Sequence, residues 1–316
     1  MTLTELRYII AVAKEKHFGK AAKSCFVSQP TLSLGIKKLE EDLGVILFER
    51  GQKDLVITPI GKKVIEQAEK ALKEVKAVKE IASSEKNPFQ EPLRLGAIYT
   101  VGPYLFPSLF PVVQEFAPEL HLFVEENFTS TLSDRLQNGD IDVAILSLPF
   151  EEKGLETMTL YDEAFVILLP SSHPLALKEK IEMQDLSDEN VLLLGPQHCL
   201  RDQILALCPN CVALHADDVD LQNILVGSSI ETIRYMVASG VGLTIFPCTA
   251  AGADRYKQGL LTIRRNDTLN KGRKVILAWR KGFPRMVAIQ LLADCIRKCS
   301  LTGVKMVTDT TYARVE

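Results

Sequence analysis

Val27-Ser28-Gln29-Pro30-Thr31-Leu32-Ser33 is the stretch on which the fold turns. Ser28 is a favoured N-cap residue, and Pro30 is tolerated in a first helical turn because its missing N–H has no intrahelical acceptor there. Leu32, Ile36, Leu39 and Leu43 follow at helical spacing, and Gly44 ends the run. Working back, Leu6, Ile9, Ile10 and Ala13 line one face of a helix that stops before His17 and Phe18, and a short helix covers Gly19–Ser24. Working forward, Leu47–Ile57 reads as a two-stranded wing turning at Gly51. Two helices joined tightly, the second opening with small polar residues, can present that second helix to a major groove. Its exposed face offers Thr31, Ser33, Lys37 and Lys38, with Arg50 in the wing. Spacing alone leaves open a plain helical domain with a solvated charged face.

The chain has 316 residues, 47% hydrophobic and 24% charged, a globular mix that suits two or three domains and excludes wholesale disorder or fibrous repeats. The net charge of −3 is uneven: residues 1–90 hold 16 of the 37 basic groups against 12 of the 40 acidic ones, so the first part is basic and the rest acidic. That split points modestly to an anionic partner such as nucleic acid. No apolar run approaches the roughly 18 residues of a membrane helix. Glu5, Arg7 and Lys14 around a short apolar run do not make a secretory signal, so a soluble cytoplasmic protein is expected.

From Thr58 to about Lys86 the pattern is one long helix. Val64, Ala68, Ala71, Val75, Val78 and Ala82 form a coiled-coil seam, which suits dimerisation, with packing on its own body as the alternative. Asn87-Pro88 through Glu91-Pro92 reads as a hinge. Beyond it, strands such as Leu93–Ile98, Ile141–Leu146, Phe165–Leu169, Leu243–Phe246 and Val275–Trp279 alternate with helices up to Pro284–Cys299. This rhythm argues an α/β fold in two lobes with a cleft, and the tail after Leu301 reads as loose.

Seven cysteines, an odd number spread along a long chain, are not a structural disulfide framework. Cys199 follows His198, precedes Arg201 and opens the helically spaced Leu200–Leu207. A helix N-terminus beside cationic groups favours the thiolate, the nucleophilic and oxidisable form of the side chain. Cys208 lies nine residues on; across a helix that is about 13 Å between Cα atoms, whereas a disulfide needs about 7 Å or less. Any bond between them would have to unwind the helix. Two alternatives remain: buried cysteines acting as small hydrophobes, and a zinc site drawing on His198, Cys199, Cys208 and Cys211. Cys25 is expected inside the helical head, Cys295 and Cys299 on one face of the last helix, and Cys248 carries no signal.

Leu3–Gly61 contains Phe18-Gly19-Lys20-Ala21-Ala22, Ser28 to Ser33, Lys38-Leu39-Glu40, Leu43-Gly44 and Phe48-Glu49-Arg50. With these motifs it resembles the DNA-binding head of LysR-type transcriptional regulators, and the rest of the chain follows their order. His198-Cys199-Leu200-Arg201-Asp202-Gln203 followed by Cys208, together with Thr100–Leu105 and Glu231–Arg234, is similar to the peroxide-sensing members, although Gln197 stands where those carry glycine.

The resemblance implies a winged helix-turn-helix over residues 1–60, a linker and dimerisation helix with hinge over 61–90, and a periplasmic-binding-protein-like α/β effector domain over 91–305. Lobe I would take about 91–163 plus 268–300, and lobe II about 164–267. It adds Ser28, Gln29 and Pro30 to the DNA contacts. It makes Cys199 the peroxide-reactive thiolate and Cys208 the resolving thiol, with Thr100, Thr129, His198, Asp202 and Arg273 completing the peroxide pocket. The implied partners are a pseudo-palindromic DNA duplex, further copies in a dimer and tetramer, RNA polymerase, hydrogen peroxide, and a glutaredoxin- or thioredoxin-type reductant. No metal, cofactor or enzymatic role is implied. A regulator sensing a small metabolite in its cleft, and a thiol peroxidase, are the competing readings.

Overall fold

The computed structural model describes residues 1–50, 55–84, 87–208, 229–252, 259–266, 269, 272–307 and 313–314, and divides after Asn87 into two units. In the first, α1 (Leu3–Glu15) opens with a capping box: the Thr2 hydroxyl accepts from the Glu5 N–H, and the Glu5 carboxylate accepts from the Thr2 N–H at 2.7 Å. His17 caps α2 (Phe18–Ser24), its Nδ1 accepting from the Gly19 and Lys20 N–H groups. Ser28 caps α3 (Gln29–Leu43), accepting from the Thr31 N–H, and Gly44 closes it in the left-handed region at φ 67°. Leu6, Ile9, Val12, Ala21, Leu32, Ile36 and Leu39 form the shared core.

The wing is β1 (Phe48–Arg50) antiparallel to β2 (Leu55–Ile57); the Gly51 turn lies outside the described residues. The Glu40 carboxylate pins its start by accepting from the Leu47 and Phe48 N–H groups. The helix α4 (Pro59–Ser84) starts hard against it, for a Cβ on Gly61 would stand 2.4 Å from the Leu47 carbonyl oxygen. The predicted seam is used in two ways. Ala68 is buried, and Val64 and Ala71 pack against the core of their own head, while Val78 is exposed. Of the seam residues whose side chains are described, Val78 alone is exposed.

The second unit holds two sheets. The first contains β3 (Leu93–Ile98), β4 (Leu122–Asn127), β5 (Val143–Ser147), β6 (Leu155–Glu163), β11 (Arg273–Arg280), β12 (Val304–Met306) and β13 (Ala313–Arg314). Its order is β12-β6-β11-β5-β3-β4, with β13 also on β6. The second is β10-β7-β9-β8, from β7 (Phe165–Pro170), β8 (Val191–Leu192), β9 (Leu243–Pro247) and β10 (Leu261–Arg264). Helices α5 (Gly102–Phe116), α6 (Thr129–Asn138) and α10 (Met286–Lys298) accompany the first sheet in sequence, and α7 (Cys199–Leu207), α8 (Ile230–Ala238) and α9 (Cys248–Ala251) the second. The parallel neighbours β4, β3 and β5 follow the rule that such sheets are covered, β5 being buried at every position.

Each sheet has its own buried apolar cluster. The chain crosses from one sheet to the other where β6 runs through Ala164 into β7, and returns at β11. Glu163 and Arg273 face each other in register at these two crossings.

One sequence reading is corrected, and one strand is added that the sequence reading did not name: Leu155–Glu163, whose pairing with β11 shifts register at Val275/Ile276. The tail is not loose over its described part: β12 and β13 pair antiparallel with β6, and the Val307 N–H donates to the Leu160 carbonyl at 2.9 Å. A sheet edge with unpaired backbone groups accepts even a short polar strand, which composition does not reveal. No described helix is long and apolar enough to cross a membrane.

Candidate DNA-reading face and thiol site

On α3 and the turn before it, Ser28, Gln29, Pro30, Thr31, Lys37 and Lys38 are exposed, and Ser33 is half-buried. The Ser28 and Thr31 hydroxyls lie 2.7 Å apart, so the cap also orients a hydroxyl outward. Lys37 sits 3.7 Å from the exposed Glu41 and Lys38 3.9 Å from the buried Glu5; both ammonium groups are themselves exposed and within reach of phosphates. Arg50 lies in β1, and its side chain is outside the described residues.

The thiol site is built where α7 begins. His198 is the N-cap residue and Cys199 the first helical residue, its thiol free and half-exposed. The His198 ring meets Phe128 edge-on at 5.0 Å between centroids, with Tyr99 at 6.2 Å, which brings the start of α6 beside the start of α7. Both helix N-termini carry the positive end of a backbone dipole.

Arg273 is the local cation. Its Nη1 and Nη2 donate to the Thr100 hydroxyl at 2.8 Å and the Thr100 carbonyl at 2.9 Å, and its Nε donates to Glu163 at 2.8 Å. Burial opposes the charge of this guanidinium, but Glu163 and Cys199 oppose it in turn, and its pKa ends above the ordinary value. With one lone pair engaged by Arg273, the Thr100 hydroxyl keeps its proton to donate elsewhere. Thr129 opens α6, and its shielded hydroxyl has no hydrogen-bond partner among the described residues. Asp202 is exposed on α7, and no hydrogen bond among the described residues ties it to the cluster.

A cavity of about 290 Å³ lies alongside, lined by Tyr99, Thr100, Glu126, Phe128, His198 and Glu231 among others; Cys199 and Thr129 do not line it. The motif residues Tyr104 and Glu231 close one side of it, the phenol donating to the carboxylate at 2.6 Å while Arg234 donates to the same carboxylate at 3.1 Å.

Cys208 follows the last turn of α7, its N–H donating to the Ile204 carbonyl at 2.9 Å, so the helix is continuous between the two cysteines. Cys208 is disulfide-bonded, and Cys199 is not its partner. Cys211 lies outside the described residues. Cys199 packs toward the core of the first sheet, whereas Leu200, Ile204 and Cys208 belong to that of the second. Cys25 packs against the head core, as expected. Cys248, Cys295 and Cys299 are buried, and burial pushes the Cys248 and Cys299 thiols up to about 11. No group of three or more potential metal ligands gathers among the described residues.

Two family models match: the bacterial regulatory helix-turn-helix protein of the lysR family over residues 3–62, and the LysR substrate binding domain over residues 86–299. The chain is 38% identical over 298 residues to a hydrogen peroxide-inducible genes activator of Dickeya chrysanthemi, covering 94% of this chain and 95% of that one. It is 37% identical to the DNA-binding transcriptional dual regulator OxyR of Escherichia coli K12, over 94% and 95% of the two. The full-length OxyR structure from Pseudomonas aeruginosa, carrying a cysteine-to-aspartate replacement, aligns with a TM-score of 0.75 at 43% identity, over 98% of this chain and 99% of that one. A hydrogen-peroxide-bound OxyR from Corynebacterium glutamicum, a cysteine-to-serine variant, aligns with a TM-score of 0.59 at 31% identity over 94% and 92%.

The chain belongs to the LysR family, within its OxyR branch.

In this LysR-family chain, two residues at the thiol site escaped the sequence reading of roles. Gln203, one turn after Cys199, donates through Nε2 to the Ser147 hydroxyl at 2.8 Å and the Leu148 carbonyl at 2.7 Å, tying α7 to the end of β5, while its buried Oε1 has no partner among the described residues. Only its place four residues after Cys199 in the motif hinted at this. Glu163 gave no signal at all, since its partner stands 110 residues away.

His198 carries a prediction. Burial holds its pKa below the ordinary 6.5. The unfolded chain therefore binds the proton more readily, so the neutral ring's contribution to stability is present above about pH 6.5 and lost as pH falls through the folded value. His198→Asn should flatten the fall in urea midpoint between about pH 7.5 and pH 5 relative to the parent. An equal fall in both proteins would show that His198 is not buried neutral.

Proposed function

We propose that this chain is a hydrogen-peroxide-responsive transcriptional activator in which the Cys199 sulfur is the sensing atom. The observation that carries this is the placement of that sulfur at the start of α7 near Arg273, whose guanidinium also holds Thr100 with a proton to spare. The names and states of the relatives support it: activators of hydrogen-peroxide-inducible genes, and a peroxide-bound OxyR.

The Cys199 thiolate attacks one peroxide oxygen, the O–O bond breaks, and Cys199 becomes a sulfenic acid. The departing hydroxide takes a proton to leave as water, with Thr100 and Arg273 stabilising charge on that oxygen. The Thr129 hydroxyl and His198 shape the same end of α7. Cys208, as a thiolate, then attacks the sulfenic sulfur, forming the S–S bond and expelling hydroxide, which takes up a proton released to solvent when the thiols ionised and leaves as a second water. Two thiols give two electrons and the peroxide is reduced to two waters.

Nine helical residues separate the sulfurs' backbones by about 13 Å, and the two side chains sit in different cores. The bond therefore forms only as α7 unwinds. The disulfide that Cys208 carries must first be opened. A glutaredoxin- or thioredoxin-type reductant would do so and would also reset the switch. The head binds a pseudo-palindromic duplex through Ser28 to Ser33, Lys37, Lys38 and Arg50. Two copies pair through α4, the effector domains extend the assembly to a tetramer, and the oxidised form engages RNA polymerase in the cytoplasm.

The test is peptide mapping. The reduced protein, treated with peroxide, alkylated and digested without reductant, should yield a Cys199–Cys208 linked peptide by mass spectrometry. Cys199 recovered only as its oxyacids, with Cys208 linked elsewhere, would remove the switch. The cavity beside His198 favours a second reading, a metabolite-responsive regulator; that reading predicts a ligand-dependent DNA footprint that survives Cys199→Ser.

A further inference from the structure

We infer that Leu34 and Phe26 are apolar base-reading residues, set to contact the 5-methyl groups of operator thymines in the major groove. Leu34 lies on the side of α3 away from the buried Leu32, Ile36 and Leu39, and is 69% exposed. It stands one turn from Thr31 on one side and from Lys38 on the other, in the middle of the face that carries the hydroxyls and ammonium groups.

Phe26 is 96% exposed in the turn before α3, with φ at 58°. Its N–H donates to the Lys23 carbonyl and that of Val27 to the Ala22 carbonyl, a helix-ending turn that favours glycine. A bulky side chain in that conformation is strained, and in water it repays the fold with no packing.

The occupant follows from the surface itself. The face is continuous with the helix-turn-helix of a DNA-binding family, and Lys37 and Lys38 flank it with charge suited to phosphates. The apolar group a major groove presents at a base edge is the thymine methyl, which meets small apolar side chains and Phe. Leu34 and Phe26 therefore read sequence, whereas the lysines set affinity.

The experiment uses the reduced full-length protein and an operator selected by it from a random duplex pool. Each thymine of both half-sites is replaced in turn by deoxyuridine, which removes the methyl alone, and binding is followed by fluorescence anisotropy. At the thymines facing these residues the parent should lose about fourfold in affinity per methyl, or roughly sixteenfold with both half-sites changed. Leu34→Ala should lose the penalty at one of these positions and keep the salt dependence, whereas Lys37→Ala should keep the penalty and flatten the salt dependence. Phe26→Gly should lose the penalty at a second position while melting at the same or a higher temperature. Uracil penalties unchanged in Leu34→Ala and Phe26→Gly, or none in the parent, would overturn the assignment. A lowered melting temperature with unchanged uracil sensitivity would make Phe26 a structural residue.

Discussion

Arg273→Met should destabilise the reduced protein by about 3–5 kcal/mol, because it strands a carboxylate in the interior. Arg273 and Glu163 have no exposed side-chain surface and meet at 2.8 Å where the chain crosses between the sheets. With the guanidinium gone, Glu163 keeps, among the described residues, the N–H and hydroxyl of Thr249. For a unit of this size the loss corresponds to a melting temperature lower by roughly 6–20 °C. The chain's single tryptophan, Trp279, is buried on the same strand and reports the transition by fluorescence. Adding Glu163→Leu to Arg273→Met should recover most of the loss, since an apolar pair leaves no orphan charge. A loss under about 1 kcal/mol would mean that the pair is solvated. The same variant releases Thr100 and takes away the cation near Cys199, so its reaction with peroxide should slow even where the fold persists.

Cys199→Ser should abolish the effect of peroxide on the DNA footprint while leaving the reduced footprint in place. The exchange changes one atom at a half-exposed position, so the fold is spared, but a serine hydroxyl is a far poorer nucleophile than a thiolate. The parallel variants Cys248→Ser and Cys299→Ser should respond as the parent does. Burial pushes both thiols up to about 11, which leaves about one in ten thousand ionised at pH 7. Cys25→Ser is the demanding control, since Cys25 is a free and partly accessible thiol in the head. DNase footprinting with and without peroxide checks all four. A peroxide-dependent shift that persists in Cys199→Ser moves the sensing chemistry elsewhere.

The head was legible because local signals agreed. Ser28 before Pro30, the Leu32–Ile36–Leu39 spacing and the Gly44 stop each specify the same helix, and the structure places them as cap, core and terminus. In the second unit, buried strands such as Phe165–Pro170 announced themselves by composition. What stayed hidden was pairing at a distance. A strand interrupted by a bulge, a tail strand of three residues, and a carboxylate matched to an arginine 110 residues on leave no local pattern. At the thiol site the motif gave Cys199 and His198 their neighbourhood, and the structure adds the reason Arg273 belongs there: it bonds both the side chain and the backbone of Thr100. Asp202 shared the motif but faces outward, because position 202 turns away from the apolar side of α7 on which Leu200 and Ile204 lie.

Gln203 sits midway along the helix that the proposed Cys199–Cys208 bond would undo, and its amide clasps Ser147 and the Leu148 carbonyl across to the other sheet. Joining Cys199 to Cys208, as proposed, would pull that clasp away and take the amide donor from both acceptors, leaving the Ser147 hydroxyl and the Leu148 carbonyl only their long mutual contact of 3.5 Å. Under the proposed switch, the lost clasp would count against the bridged form and favour its return to the wound helix once a dithiol opens the bond.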